Sequence, residues 1–476
     1  MTKFPIGHDP DKFSMQSRQA IRDRFASALK KNIRYDDPEK FVLGFMGTTP
    51  DDMAIEGYQA FLRAHPNNIG EHTMHNDELG FPGTNQLEAE VISMLGDLHG
   101  DANVNGYLSF DGSEANIQAM WVGREYLMQN CIIPNDTRVC IMISHLSHYS
   151  ISRAYRLLRL GGGLVSLATD EKGSVLIEKM EEKIRSAYHD FGLRRFIIVA
   201  MGGSTLLGSV DDVLAIGELL QRLEIEYNAD GKPENKIGFF LHVDAAFGGF
   251  VTPFLDPPIL TGFNAHPLVK SMIIDPHKMG LSVYPGGTFL CRNGLIKLVS
   301  AEVGYVGGHH DVTIAGSRPG AEAAACWAVI QALGRKGYEK KVRRCIEVTT
   351  YFHEQLKTVQ GIKLIEPTMN IVAFRIVSPL VNEALQVLDK MEHDGLQYDQ
   401  PLPKSFPQHL RKIAELYRCL QLKYIMVGAN VPSDMSDLRS PPQRLIRFVL
   451  MPHAWLLSEG EKVIDGFIGQ LKNLFI

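Results

Sequence analysis

Residues 271–292 read "SMIIDPHKMGLSVYPGGTFLCR", and they place a lysine where lysines are seldom found. An apolar run ending at Ile274 leads into Asp275-Pro276-His277-Lys278, and glycines and a second apolar run follow. Lysine ordinarily keeps its ammonium in water. A strand end inside a crevice shields an amine and lowers its pKa, which suits attack on an aldehyde. Taken alone, Lys278 is better read as an ordinary turn lysine.

The flanking chain repeats the same strand-then-turn design. "VNGYLSF" precedes the helical "SEANIQAMWVGREYLM", "RVCIMIS" precedes "SISRAYRLLRL", and "RRFIIVAM" precedes "DVLAIGELLQRLEIEY", which "IGFFLHVD" follows. Strands apolar on both faces, joined by amphipathic helices, predict a mostly parallel sheet covered on both sides. Before this region, Ile21, Phe25, Leu29 and Ile33 recur every four residues and predict a helix within 9–35. After it, "AEAAACWAVIQALG" predicts a helix closed by a glycine.

Beyond residue 345 the pattern predicts a smaller α+β unit. It holds strands at "NIVAFRIV" and "RLIRFVLM", a helix at "NEALQVLDKMEHDG" and a last helix opened by the capping box Ser458-x-x-Glu461. Proline-rich residues 398–443 read as an insertion or surface excursion. The expected organisation is an N-terminal helical segment (1–60), a large domain (61–345) and a small C-terminal domain (346–476).

Composition narrows the function. Of 476 residues, 45% are hydrophobic and 22% charged, as in globular proteins, and the net charge of −5 argues against a nucleic-acid partner. No run of eighteen apolar residues and no secretory h-region occur, so neither membrane insertion nor export is expected. The six cysteines are scattered without a CxxC pair, which fits reduced thiols in a cytoplasmic protein with no metal site.

Three other stretches accompany Lys278. In "HVDAAFGGF", Asp244 ends an apolar run among small residues, a place from which an acid points into a ligand crevice or caps the next loop. In "SFDGSEANIQAM", Gly112 and Ser113 open a helix whose free N–H groups make a phosphate seat or a plain serine cap. In "HLSHYSISRA", His148 sits between strand and helix, able to lie over an aromatic ring or merely to cap. An aldehyde-trapping lysine, an acid for a pyridine nitrogen, a phosphate seat and a stacking histidine are together the parts that pyridoxal phosphate requires.

Their order and wording resemble the group II pyridoxal phosphate-dependent amino-acid decarboxylases, above all the archaeal-type L-tyrosine/L-aspartate decarboxylases. The likeness lies in "HVDAAFGGFVTPFLD", "IDPHKMG", "PGGTFL", "GSEANIQA", "FPGTNQLEAEVISMLG", "LGRKGYEKKVRRC", "IEPTMNIVAF" and "RFVLMPH", and covers most of residues 40–475. The resemblance implies the aspartate-aminotransferase-like α/β fold (fold type I), with a large, mostly parallel mixed sheet and a small α+β domain. It implies that Lys278 forms the Schiff base with the cofactor and that Asp244 pairs with its ring nitrogen. Ala246 lies beneath the ring and His148 above it, while Gly112, Ser113 and His277 hold the phosphate. Ser204 or Thr205, in "GGSTLLGSVDD", touches the ring hydroxyl or the substrate carboxylate.

Where the family writes two adjacent glycines, this chain has Asp111-Gly112, so a carboxylate must turn away from the phosphate. Gly304, Gly307 and Gly308 flank Tyr305 in a segment suited to an active-site lid, with Tyr305 a catalytic candidate. "AGSRPG", with Gly316 and Ser317, reads as a second anion seat opening a helix. The resemblance implies that this segment serves the neighbouring subunit's site, hence a homodimer.

The expected reaction is α-decarboxylation of an L-amino acid. The alternative is carbon–carbon cleavage as in sphingosine-phosphate lyase, which "TIAGSRPG" and "ACWA" also resemble. Aminotransfer, third, normally needs an arginine clamping the α-carboxylate, and Arg447 is the position to inspect. Phe45, Met46, His72, His75, His309 and His310 are candidate lining residues that suit an aromatic side chain, so L-tyrosine leads and L-aspartate follows.

Overall fold

The computed structural model describes residues 16–35, 37, 39–74, 80–131, 133, 135–232, 235–303, 309–397, 400–455 and 460–475. Its centre is a seven-stranded sheet. In spatial order the strands are Val104–Ser109, Gly287–Arg292, Val269–Ile274, Gly238–Asp244, Arg195–Met201, Val139–Ser144 and Gly161–Leu167. Only Gly287–Arg292 runs antiparallel to its neighbours; the other pairings are parallel. The mixed, mostly parallel sheet expected from the sequence is therefore present. The two central strands Gly238–Asp244 and Arg195–Met201 are buried along their whole length, because helices cover both faces.

The parallel strands all deliver their carboxyl ends to one edge of the sheet, and the candidate residues follow those ends closely. Asp244 is the last residue of its strand. Lys278 comes four residues after Ile274 and His148 four after Ser144. Gly112 comes three after Ser109.

The helix predicted to close at Gly334 does break there, with φ 54° and ψ −175°, but a second helical stretch resumes at once and the element runs Gly320–Leu356. Glycine tolerates that conformation because it lacks a Cβ. The change of character expected at residue 345 thus falls inside a helix that carries the chain from one core to the other.

The second core surrounds a four-stranded antiparallel sheet in the order Ile362–Ile365, Ile371–Ile376, Pro442–Val449, Val427–Pro432. Here the expectation of a surface excursion over 398–443 is corrected. That segment contains the helix Gln408–Tyr424, which buries Leu410, Ala414, Tyr417 and Leu420, and the edge strand Val427–Pro432. Its prolines lie in the connections and at strand ends, so they concealed an element of the core. Ser458 of the predicted capping box lies outside the described residues, while Glu461 stands in the first turn of the helix Gly460–Lys472.

At the other end, the expected helix spans Arg18–Leu29, capped by Ser17, and buries none of its residues within one chain. Among the described residues no helix is long and apolar enough to cross a membrane.

Candidate active site

Asp275 organises the turn that presents Lys278. Its backbone N–H donates to the Ala246 carbonyl at 3.0 Å, tying the turn to the neighbouring strand end. Its Oδ2 lies 2.9 Å from Lys278 Nζ, and the lysine side chain is only 18% exposed. Asp275 Oδ1 is buried without a hydrogen-bond partner among the described residues. His277, next in sequence, donates from Nδ1 to the Gly286 carbonyl at 2.6 Å. Its ring stacks on Tyr284 with centroids 4.1 Å apart, and burial pushes its pKa below the usual histidine value.

Gly112 abuts this turn. A Cβ at Gly112 would stand 2.9 Å from Asp275 Oδ2 and 3.3 Å from the Ala246 Cβ. The helix Gly112–Asn130 therefore opens directly onto the space shared by Ala246, Asp275 and Lys278. One expectation changes here. Asp111 is the helix N-cap, and its Oδ1 accepts from the N–H groups of Ser113 and Glu114 at 2.9 Å each. A capping carboxylate satisfies donors that would otherwise be orphaned. The Ser113 N–H is thus spent, while its hydroxyl makes no hydrogen bond among the described residues.

Asp244, 3% exposed, accepts from Asn116 Nδ2 at 3.0 Å and from the Ala246 N–H at 3.2 Å. Each carboxylate oxygen keeps a lone pair for a further donor. His148 is the N-cap of the helix Tyr149–Leu158. Burial lowers its pKa, and Asp244, Lys278, Asp275 and Asp111 all lie near enough to act on it electrostatically. These observations gather Gly112, His148, Asp244, Ala246, His277 and Lys278 into one site.

The remaining candidates divide. Ser204 Oγ accepts within its own turn, from the Ser209 N–H at 3.1 Å and from the Ser209 hydroxyl at 2.6 Å. Thr205 has a half-buried side chain that makes no hydrogen bond among the described residues. Gly316 and Ser317 do not open the helix as expected. Ser317 lies in a short strand paired with Asn67–Ile69, and the helix begins at Gly320. Among the described residues of one chain, no hydrogen bond or ion pair joins Gly316 or Ser317 to Lys278, Asp244 or His148.

Arg318 of the same motif is a buried clamp that holds Glu88, the Gly70 carbonyl and the Leu108 carbonyl at 2.9 Å. Within "AGSRPG", Arg318 is therefore a structural residue. His72 lies in that buried cluster, 3.4 Å from Glu88, and is not a lining residue. Arg447 directs Nη1 to the Thr205 carbonyl and Nη2 to the Gly44 carbonyl, the latter at 3.0 Å, so it ties two loops together. Tyr305 and His75 lie outside the described residues.

Sequence reasoning missed Asn116, Asp275 as the lysine's partner, and Tyr284. Asn116 could have been found, since it stands one helical turn beyond Gly112 and so faces the same strand ends.

Lys278, the acceptor Asp244, the small Ala246 and the space left by Gly112 fit pyridoxal phosphate. Residues 67–377 match the pyridoxal-dependent decarboxylase conserved domain. A probable L-tyrosine/L-aspartate decarboxylase of Methanocella arvoryzae is 34% identical, with the alignment covering 72% of this chain and 82% of that protein. A tryptophan decarboxylase of Clostridium sporogenes is 30% identical over 75% of this chain and 84% of its own. The glutamate decarboxylase structure from Lactobacillus brevis superposes with a TM-score of 0.70 over 100% of this chain and 95% of that one, at 18% identity. The chain belongs to the pyridoxal-dependent decarboxylase family and is an amino-acid decarboxylase that works with pyridoxal phosphate.

Proposed function

We propose that the chain is a cytoplasmic homodimer that removes the α-carboxylate of an aromatic L-amino acid, L-tyrosine first and L-aspartate next, giving an amine and carbon dioxide. The observation that carries the substrate class is an aromatic rim. Phe110, Tyr149 and Tyr284 are 43%, 58% and 63% exposed and adjoin Asp111, His148 and His277 respectively. Exposed aromatic faces beside a polar centre suit an aromatic side chain better than a second carboxylate. Relatives are named as decarboxylases of tyrosine, aspartate or tryptophan, which keeps both an aromatic amino acid and aspartate as substrates to test.

When bound, pyridoxal phosphate supplies an electron sink for the pair left at Cα. Lys278 holds the cofactor covalently. Asp244, held in place by the Asn116 amide, would pair with the ring nitrogen. Ala246 and His148 would contact the cofactor ring, and Thr205 would meet the ring hydroxyl or the substrate carboxylate. Gly112, the Ser113 hydroxyl and His277 would hold the phosphate, and Gly316 and Ser317 would complete the partner's site. Tyr305 would be the acid that returns a proton to Cα; a phenol with an ordinary pKa near ~10 stays loaded at neutral pH. Arg447 spends Nη1 and Nη2 on backbone carbonyls, which favours decarboxylation over aminotransfer.

The test is carbon dioxide release from each standard L-amino acid. Tyrosine is expected to give the highest kcat/KM. Release from aspartate alone would overturn the aromatic assignment.

A further inference from the structure

A buried hydrogen-bond chain links Asp244, expected at the cofactor's ring nitrogen, with His148, expected above the ring, and a single amide lies at its centre. Asn116 Nδ2 donates to Asp244 Oδ2 at 3.0 Å and to Ser150 Oγ at 2.9 Å. Asn116 Oδ1 lies 3.0 Å from His242 Nε2, and His242 Nδ1 lies 2.8 Å from Ser271 Oγ. Ser150 Oγ lies 2.9 Å from His148 Nδ1. Asn116, Ser150, His242 and Ser271 are all essentially inaccessible to solvent, so no water can stand in for a missing partner.

The donors and acceptors admit one arrangement. An ionised carboxylate only accepts, so Asp244 requires the NH2 of Asn116 and turns the amide oxygen towards His242. Burial lowers the His242 pKa to about 4, so the ring is neutral at pH 7 and its one proton sits on Nε2, facing that oxygen. Ser271 then donates to His242 Nδ1. On the other side, Ser150 Oγ accepts from Asn116 and must point its own hydrogen at His148 Nδ1. The Ser150 backbone N–H also donates there, at 3.4 Å. With two donors aimed at Nδ1, the proton of neutral His148 sits on Nε2.

We propose that Asn116 is a positioning residue that sets the hydrogen-bond arrangement of both sides of the site: it orients Asp244 as an acceptor and, through Ser150, locks His148 in the Nε2–H tautomer. His242 and Ser271 fix the orientation of the amide. The groups facing His148 are Asp244, Asp275, Asp111 and Lys278, together with the Tyr149 ring 4.1 Å away. None of the four charged groups is removed by a change at Asn116 or Ser150, so a shift in His148 titration reports the relay itself.

The experiment is an NMR titration of His148 in cofactor-free protein, with the resonance assigned by loss in His148→Gln. In Asn116→Leu the Ser150 hydroxyl becomes free to accept, so Nδ1 can take a proton and the His148 pKa should rise by about one unit. Ser150→Ala removes only the relay and should raise the His148 pKa similarly. It should leave the visible absorbance of the cofactor-loaded enzyme unchanged, whereas Asn116→Leu should alter the pH dependence of that absorbance. His242→Gln keeps a donor at the Nε2 position and should behave as wild type in both readouts. An unchanged His148 titration in Ser150→Ala would overturn the proposal, even if Asn116→Leu failed to fold. Because the titration uses neither substrate nor turnover, its result is independent of which amino acid the enzyme decarboxylates.

Discussion

Lys278 Nζ lies 2.9 Å from Asp275 Oδ2, and the carboxylate is almost wholly buried. The pair holds the amine at the mouth of the site and leaves each charge dependent on the other. Removing one partner of such a pair strands the other, at a cost of about 3–5 kcal/mol. Lys278→Ala should therefore abolish turnover and also lower the melting temperature. Adding Asp275→Asn should restore much of the stability and none of the activity, as measured by thermal unfolding and carbon dioxide release. Recovery of turnover in the double variant would exclude Lys278 as the covalent anchor.

Gly112→Ala probes the seat beside that pair. The new Cβ would stand 2.9 Å from Asp275 Oδ2 and 3.3 Å from the Ala246 Cβ, closer than unstrained packing allows. Cofactor affinity should fall about tenfold or more, the equivalent of ~1.4 kcal/mol or more, with the fold intact by circular dichroism. A titration showing wild-type affinity would place the phosphate elsewhere.

Three buried histidines should each weaken the fold in mild acid. Burial lowers the pKa values of His99, His242 and His453 to about 4 each, against an ordinary value of ~6.5. Between these values each is protonated in the unfolded chain and neutral in the fold, so its contribution to stability falls as pH drops from about 6.5 to about 4. His99→Gln should flatten the curve of melting temperature against pH, because His99 is neutral in the fold and its ring bonds to the Gly249 carbonyl at 3.0 Å, which an amide can also reach. An equally steep curve in that variant would contradict the assignment.

Tyr305→Phe should still bind cofactor and substrate but form amine about a hundredfold more slowly, within the range that general acid catalysis supplies. Carbonyl by-products should accumulate in its place. Co-expressed with Lys278→Ala and separated by two tags, hybrid dimers should regain one working site if the tyrosine acts across the interface. Amine formation at the wild-type rate would remove Tyr305 from the reaction.

The sheet was legible because its strands are apolar on both faces and each ends in a chemically distinctive residue. Asp244, His148 and Lys278 could be placed at strand ends from that pattern alone. The helix Gln408–Tyr424 was not legible, since flanking prolines and a polar tail disguise an amphipathic face that only the second core reveals. Nor could the role of Ser204 be read. Its hydroxyl is captured by Ser209, five residues on, through a turn whose closure depends on packing rather than on a local motif. Asp111 illustrates the same limit: the carboxylate was visible in sequence, but its commitment to the Ser113 and Glu114 N–H groups is a matter of geometry.

The most direct test of the account is to reduce the cofactor-loaded enzyme with borohydride, digest it and locate the modified lysine by mass spectrometry. The account predicts a single pyridoxyl adduct per chain, on Lys278, with loss of visible absorbance. An adduct on any other lysine, or a loaded enzyme that yields none, would contradict it.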